Sequence, residues 1–357
     1  MFAKHSAMIR KDVLSRFLHH LGYFNVRKCY ALSENGRPRA KWDPLKSRTG
    51  IKKTFFLLLY FSIQLLTPLT AQIYTPKFDV QGHRGARGLM PENTIPAFMT
   101  AIDIGVTTIE MDLAVTKDNQ LVVSHEGWMS AAIALDSLGR AIKEKDEPKH
   151  NIYKMKYKDV AKYDVGTKPN DRFPNQKKMK VSKPLLKDVI ISVEDYIKGH
   201  ALYEVDYNIE IKSEPSSDGK FHPKVKEFSE LAFNLIDQYL PWDRVVIQSF
   251  DFRVLKYWHE NHPGVRLAAL VDNLNTIDEN LAALGFTPSI YSPEYHLLSK
   301  DEIRVCHQKR MRVIPWTVND AKEMEELKAW GVDGLITDYP DIAKGLGYTL
   351  KTTKGKK

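Results

Sequence analysis

A short stretch of the sequence carries five side chains that could act together in one reaction. His83 and Arg84 follow one apolar run, Glu110 and Asp112 lie two residues apart in a second, and His125 ends a third. Two imidazoles, two carboxylates and a guanidinium are the components of a metal-assisted phosphoryl-transfer site. The stretch therefore predicts chemistry on a phosphate ester.

The carboxylates predict a cation site. Alternate residues of a strand point to the same face, so Glu110 and Asp112 can be directed at one ion. Glu210 lies two residues before Lys212 in a later run and would add a third carboxylate. Carboxylate oxygens favour Mg²⁺ or Ca²⁺ over zinc, and a like-charged cluster is costly to bury without a cation. Taken singly, each carboxylate could instead cap a helix or pair with a lysine.

The two histidines predict acid–base catalysis. Imidazole titrates near neutral pH, so His83 and His125 can take a proton from a nucleophile and give one to a leaving oxygen. The arginine fork of Arg84 matches phosphoryl oxygens, and Lys212 adds a point charge. Singly, each histidine could equally be a hydrogen-bonded structural residue, which is how we interpret the other histidines downstream of residue 140.

Alternating apolar and helical segments predict the scaffold that positions these groups. Nine candidate strands occur in the order FDVQGH, TTIEMDL, LVVSHE, YNIEIK, VVIQSF, RLAALV, SIYSP, RVIPWTV and GLITD. Strands that alternate with amphipathic helices favour a parallel α/β sheet, and most polar groups lie at the carboxyl ends of the runs, where barrel enzymes build their sites. We therefore expect an α/β fold, a TIM (β/α)8 barrel. Such a barrel has eight strands, one fewer than the nine candidates, and SIYSP is the weakest candidate.

The connections are predicted as follows. Helices are expected over Thr94–Ile104, Val193–Ala201, Pro223–Tyr239, Asp251–Asn261, Thr276–Leu284, Lys300–Lys309 and Ala321–Trp330. The segment VTKDNQ is too short to hold a crossover helix, so the two strands it joins form either a hairpin with a turn at Asp118 and Asn119 or an extended return.

Composition bounds the class of protein. The 357 residues are 43% hydrophobic and 27% charged, which is typical of a globular protein. The net charge of +9 comes with lysines that are not interleaved with aromatic residues, so nucleic acid is not predicted as a partner. Anionic small molecules or a peripheral contact with lipid head groups fit this basic surface better.

Cys29 and Cys306 provide no disulfide framework, and Cys306 is expected to be an inert buried thiol.

The N-terminal region resembles a targeting segment. Residues 1–50 are basic and irregular, and residues 51–71 combine lysines, an apolar run and small residues in the pattern of a secretory signal peptide. Because such a signal normally begins at the N-terminus, translation could start near residue 51; the alternative is an uncleaved membrane anchor. We expect an exported protein, periplasmic or extracellular, with a barrel over residues 76–348 and a basic tail over residues 349–357.

Six motifs, taken in order, resemble one known family. HRGARGLMPENT, IEMDLAVTKDNQLVVSHE, NIEIK, IQSF, WTVN and GVDGLITDYP are similar to motifs of the glycerophosphodiester phosphodiesterases, which belong to the PLC-like phosphodiesterase barrels. The resemblance runs from Val80 to Pro340. It implies a TIM barrel with a small insertion at its carboxyl face, a divalent cation, Ca²⁺ or Mg²⁺, and hydrolysis of glycerophosphodiesters to an alcohol and glycerol 3-phosphate.

The resemblance also implies roles for individual residues. The acid–base pair is His83 and His125, and the metal ligands are Glu110, Asp112 and Glu210. The substrate-contacting and phosphate-contacting residues are Arg84, Lys212, Trp316 and Asn93, the last from the PENT loop. The nucleophile is either water or the glycerol hydroxyl of the substrate, which would give a cyclic phosphate.

The sequence departs from the family pattern in two places. Glu126 follows His125 where the family commonly has aspartate, and residues 127–186 form a long, lysine-rich insertion. We expect most of that insertion to be a solvated loop with one helix over Lys156–Tyr163. Two other functions stay open: a barrel phospholipase, C-like or D-like, that acts on intact phospholipid, and a non-catalytic, membrane-associated binding protein.

Overall fold

A computed structural model of the chain describes residues 77–200 and 202–351. Within these residues, eight parallel strands and one antiparallel strand form a single sheet. The strands are β1 (Asp79–Gly82), β2 (Thr108–Val115), β3 (Leu121–Val123), β4 (Asp206–Ile211), β5 (Val245–Ser249), β6 (Arg266–Val271), β7 (Ile290–Pro293), β8 (Arg312–Val313) and β9 (Gly334–Thr337). The predictions for residues 1–50 and 51–71, for Cys29 and for most of the basic tail fall outside the described residues.

The parallel strands close into a barrel. Their order is β8-β7-β6-β5-β4-β2-β1-β9, and β3 pairs with β2 outside this path. Backbone hydrogen bonds of 2.9 Å from the amide of Asp333 to the carbonyl of Val313, and from Ile336 to Pro315, join the two ends of the path. The prediction of a TIM barrel is confirmed.

The extra strand is β3, not SIYSP. Leu113 of β2 pairs antiparallel with Val123, and Asn119 has a φ of 56°, a left-handed conformation that asparagine tolerates in a tight turn. SIYSP contains β7, which pairs in parallel with β6 and β8. The choice of SIYSP as the weakest strand was therefore wrong, because a four-residue strand in a closed barrel draws its stability from two neighbours. The hairpin at Asp118 and Asn119 is confirmed.

Helices cover the outside of the barrel. They are α1 (Ile95–Ile104), α2 (Tyr157–Val160), α3 (Leu186–Gly199), α4 (Val225–Tyr239), α5 (Phe252–Asn261), α6 (Ile277–Leu284), α7 (Lys300–Gln308), α8 (Ala321–Trp330) and α9 (Pro340–Gly345). Thr276 and Ser299 begin α6 and α7 with capping boxes, in which hydroxyl and glutamate satisfy the free amides of the first turn. Helix α3 begins well before the predicted Val193, and α2 is shorter than the predicted Lys156–Tyr163.

The insertion is more than a solvated loop. Met129, Ile133, Ile152 and Val160 form a buried apolar cluster, which also includes Val122 of β3. The insertion therefore packs on the β2–β3 hairpin as a small folded layer, and the expectation of a mostly solvated loop was wrong. Apolar residues in this segment follow no regular helix or strand period, so the sequence pattern did not reveal the cluster.

No helix among residues 77–200 and 202–351 is both long and apolar enough to cross a membrane.

Candidate active site

Three buried carboxylates meet at the carboxyl end of β2 and β4. One oxygen each of Glu110, Asp112 and Glu210 lies within 4.8 Å of the other two. Glu110 and Asp112 share a face of β2 because they are two residues apart, and Glu210 of β4 lies directly opposite Asp112 in the parallel register. The alternation along one strand and the pairing between strands together create the cluster.

The protein holds both oxygens of Glu110. Oε2 accepts the backbone amide of Arg84 at 2.8 Å, and Oε1 accepts Nε2 of Gln248 at 2.8 Å. Burial, and next the charge of Asp112, raise the pKa of Glu110 well above its ordinary value. An isolated cluster of this kind resists full ionisation, so it favours a bound cation that restores the charge balance.

Asp112 has one held oxygen and one unpaired oxygen. Oδ2 accepts Nδ2 of Asn93 at 2.8 Å, whereas Oδ1 is buried without a hydrogen-bond partner. Asn93 reaches this position with a φ of 55°, in the left-handed region. A buried carboxylate oxygen without a partner is costly unless something binds it. The residues present therefore fit a hard divalent cation with oxygen ligands, Ca²⁺ or Mg²⁺.

His83 lies directly after β1 and is fixed by a residue from the last strand. Its Nδ1 is 2.7 Å from Oδ1 of Asp338, which follows β9. Asp338 also accepts two hydrogen bonds from Arg87, at 2.7 and 3.0 Å. Burial and the charge of Arg87 lower the pKa of His83 to about 4, so the imidazole is neutral near pH 7. Nδ1 carries the proton toward the carboxylate, and Nε2 keeps a free lone pair.

His125 is fixed from another direction. Its Nδ1 lies 2.8 Å from Oε1 of Glu126, and its Nε2 lies 3.3 Å from Nζ of Lys212. The side chain of Glu126, longer than the aspartate expected after this histidine, reaches the imidazole. Burial opposes the charge of Glu126, but the hydrogen bond from His125 and the nearby positive charges together lower the pKa of Glu126 to about 2.

Basic groups surround the acidic cluster. Lys212 forms an ion pair of 2.9 Å with Glu210. Nη1 of Arg84 is 2.7 Å from Glu92, and its Nε is 3.5 Å from Oδ2 of Asp112. Burial opposes the charge on Arg84, but Glu92 and Asp112 raise its pKa, so the guanidinium is permanently charged. Two fixed cations at this place can neutralise a phosphoryl group.

A cavity of about 320 Å³, which we call the mouth cavity, opens above the cluster. It is lined by His83, Arg84, Glu110, His125, Glu210, Gln248, Phe250 and Trp316, among others. Trp316 donates from Nε1 to the carbonyl of Ser292 at 2.8 Å, and Phe250 meets it edge to face at 5.3 Å. Trp316 thus lies at the rim, half-buried, on top of the apolar filling of the barrel.

The structure brings together every residue that the sequence placed in the site. Seven line or border the mouth cavity, and Asn93 and Asp112 lie beneath it in hydrogen-bonding contact. Sequence reasoning counted Asp338 among the polar groups at strand ends that could do chemistry, without a specific role, and it did not single out Arg87, Gln248 or Lys183. Gln248 could have been suspected from its position near a strand end, as Asp338 was, whereas Lys183 lies in the insertion and had no such signal.

Residues 83–342 match the model of the glycerophosphoryl diester phosphodiesterase family. The chain belongs to this family. A glycerophosphodiester phosphodiesterase of Bacillus subtilis strain 168 is 28% identical to this chain, and the match covers 83% of this chain and 97% of the relative. The predictions of the family and of a phosphodiesterase are therefore confirmed, and the non-catalytic alternative is set aside.

Solved structures share the fold. A candidate glycerophosphoryl diester phosphodiesterase from Silicibacter pomeroyi DSS-3 superposes with a TM-score of 0.68 at 25% identity, covering 77% of this chain and 96% of that one. A phosphodiesterase from Oleispira antarctica, solved with the product sn-glycerol-3-phosphate, superposes with a TM-score of 0.60 at 19% identity, covering 75% and 96%.

Proposed function

We propose that the chain hydrolyses glycerophosphodiesters to an alcohol and glycerol 3-phosphate, with one divalent cation and two histidines. The observation that carries this proposal is the pair His83 and His125. Both imidazoles are held through Nδ1 by a carboxylate, and both line the cavity above the acidic cluster. Two imidazoles fixed at Nδ1 suit a reaction that moves one proton in and one proton out.

The acidic cluster is the proposed cation site. Glu110, Asp112 and Glu210 would hold Ca²⁺ or Mg²⁺, and the bound ion would supply Lewis-acid polarisation of a phosphoryl oxygen. Gln248 and Asn93 orient two of these carboxylates through their amide groups. Such outer contacts keep ligands in place and account for part of a site's affinity for metal.

Other side chains bind the phosphate, transfer the protons and enclose the glycerol portion. Arg84 and Lys212 bind phosphoryl oxygens and stabilise the charge of the transition state. His83, neutral and held by Asp338, accepts the proton of the attacking hydroxyl at Nε2. Once Nζ of Lys212, which lies 3.3 Å from Nε2 of His125, turns to the phosphoryl group, His125 donates a proton from Nε2 to the departing alkoxide, and Glu126 stabilises its imidazolium form. Trp316 bounds the space that holds the glycerol portion of the substrate.

Two leaving groups test the roles of the histidines. His83→Ala and His125→Ala in the full chain should each lower kcat on glycerophosphocholine by about 10²-fold to 10⁴-fold. On a glycerol phosphodiester of p-nitrophenol, whose anion leaves without a proton, His125→Ala should recover most of its activity and His83→Ala should not. Equal losses on both substrates in both variants would contradict the division of roles.

A substrate panel tests the function itself. The full chain should turn over glycerophosphocholine, glycerophosphoethanolamine and glycerophosphoglycerol, lose activity with a chelator and regain it with Ca²⁺ or Mg²⁺. Faster turnover of intact phosphatidylcholine than of glycerophosphocholine would replace this function with the phospholipase alternative. No turnover of any of these substrates would refute both.

We also propose export, on the basis of the signal-like pattern in residues 51–71. Fractionation of producing cells followed by N-terminal sequencing tests it. Export predicts a mature chain that begins close to residue 72 outside the inner membrane, whereas a membrane fraction that retains residues 1–71 supports the anchor alternative.

A further inference from the structure

A second cavity, which we call the side cavity, adjoins the mouth cavity. Its volume is about 490 Å³, within the range of small-molecule sites. The two cavities share His125, Glu210 and Phe250. A phosphate ester has two substituents on phosphorus, so a phosphate held at the shared wall can direct one substituent into each cavity.

The histidines indicate which substituent enters which cavity. His83 lines only the mouth cavity, whereas His125 lies on the border and lines both. The proton donor must reach the oxygen of the departing alcohol. Under the function proposed above, on which this step rests, the alcohol therefore leaves through the side cavity and the glycerol portion stays in the mouth cavity.

Aromatic side chains form much of the wall of the side cavity. Trp128 and Phe221 meet edge to face with ring centroids 5.3 Å apart, and both are only half-buried. Phe250 closes the inner end, where Nζ of Lys212 already lies 5.5 Å from the ring centroid. Faces of aromatic rings attract cations, and quaternary ammonium groups are bound in such surroundings.

Hydrogen bonds hold together the two segments that carry the aromatic walls of the side cavity. Trp128 belongs to the insertion and Phe221 to the loop after β4. Nδ2 of Asn151 donates to the carbonyl of Lys220 at 2.9 Å, and the amide of Ile152 donates to the carbonyl of Gly127 at 2.8 Å. The first bond connects the insertion to the loop beside the cavity, and the second holds Gly127, next to Trp128, within the insertion. The aromatic pair is therefore held in position before a ligand arrives.

The charges that face the side cavity are predominantly negative. Lys212 is paired with Glu210, while Glu214 has no lysine or arginine within ion-pair distance among residues 77–200 and 202–351. The hydroxyls of Ser217 and Ser216 lower the pKa of Glu214, which keeps it ionised.

Glu126 and His222 complete the charges at the cavity. Oε2 of Glu126 has no hydrogen-bond partner, although Lys183 lies near enough to lower the pKa of that carboxyl. His222 has Nδ1 at 2.7 Å from the carbonyl of Pro223 and 3.8 Å from Oδ1 of Asp218, and its Nε2 accepts a hydrogen bond from the amide of Glu214.

We propose that the side cavity is the head-group subsite and that it selects alcohols with a positively charged ammonium group. Trp128 and Phe221 supply the ring faces, and Glu214 supplies the opposite charge. Choline and ethanolamine esters fit this chemistry, whereas neutral polyols leave the carboxylate without an opposite charge and anionic head groups are repelled.

Matched substrates and variants test the proposal in the full chain. The value of kcat/KM should be about tenfold higher for glycerophosphocholine than for glycerophosphoglycerol. Glu214→Gln should lower it about fivefold for the choline ester and leave the glycerol ester within about twofold. Trp128→Leu should act in the same direction, and Glu326→Gln on the exposed face of α8 should change neither substrate.

A binding measurement provides a readout without turnover. Choline chloride should change the tryptophan fluorescence of the wild type with saturation, and this signal should weaken in Glu214→Gln and disappear in Trp128→Phe. Equal kcat/KM for the two esters, or an equal loss on both in Glu214→Gln, overturns the subsite while the phosphodiesterase function stands. Loss of turnover on every glycerophosphodiester overturns the function and the subsite together.

Discussion

Nδ1 of His83 lies 2.7 Å from Oδ1 of Asp338, although 255 positions separate the two residues in the chain. The closure of the barrel creates this contact, because β1 and β9 are neighbours and both residues follow directly after their strands. The carboxylate holds the imidazole in the tautomer that leaves Nε2 free to accept a proton. The catalysis that we propose for His83 therefore depends on a residue that follows the last strand.

Replacing Asp338 should disable His83 without removing it. In Asp338→Asn the amide can donate to Nδ1, which places the imidazole proton on Nε2, where it cannot act as a base. We expect kcat on glycerophosphocholine to fall by about 10²-fold or more. Steady-state kinetics with circular dichroism as a check of folding measures this, and Asp301→Asn on the exposed side of α7 serves as the control. Unchanged kcat in Asp338→Asn would separate Asp338 from catalysis.

His83 should make the metal-free protein less stable in acid. Its pKa is about 4 in the folded state against an ordinary value of 6.5, so below pH 6.5 the unfolded chain binds a proton that the folded chain does not. Stability is thus fully present above pH 6.5 and declines as the pH falls toward 4, by about 3 kcal/mol at most.

The effect is measured by urea unfolding between pH 7 and pH 4 in the presence of a chelator. His83→Gln should show a flatter dependence of the free energy of unfolding on pH than the wild type. Asp338, whose pKa is lowered mainly by His83 and Arg87 against the effect of burial, acts in a more acidic window and does not obscure the comparison. Parallel curves for both proteins would rule out the contribution of His83.

Cation binding should stabilise the fold, measured independently of activity. Without a cation, the buried carboxylates repel one another, and Glu110→Gln removes part of this repulsion, although its amide can accept only one of the two hydrogen bonds that Glu110 accepts. At a cation concentration of about 100 Kd, the wild type should gain about 2.7 kcal/mol and Glu110→Gln much less. Thermal unfolding after chelation, with Ca²⁺ and Mg²⁺ added separately, also identifies the preferred ion. An equal gain in both proteins would place the cation elsewhere.

Lys183 should contribute to the stability of the site. It is buried, its Nζ donates to Oγ of Ser124 at 2.8 Å, and it compensates part of the charge of Glu126. Lys183→Met leaves that carboxylate under-compensated and should lower the free energy of unfolding by about 1–3 kcal/mol. Urea unfolding measures the loss, and Lys180→Met, at an exposed position nearby, should show almost none. If both variants unfold alike, Lys183 has no special role.

Local features of this protein can be predicted from residues that are neighbours in the chain. The spacing of Glu110 and Asp112 places both on one face of a strand, and Asn119 marks the hairpin that follows, because alternation and turn conformation depend on neighbours in the chain. The alternation of strands and helices likewise predicted the barrel and the edge that carries the site.

The tertiary structure decided which distant groups meet. The register of β4 against β2 places Glu210 opposite Asp112, closure of the barrel brings Asp338 to His83, and packing of the insertion buries Lys183 near Glu126. These contacts depend on strand register and on the shape of an irregular loop. Neither leaves a period in the sequence, because both are fixed by the packing of segments far apart in the chain.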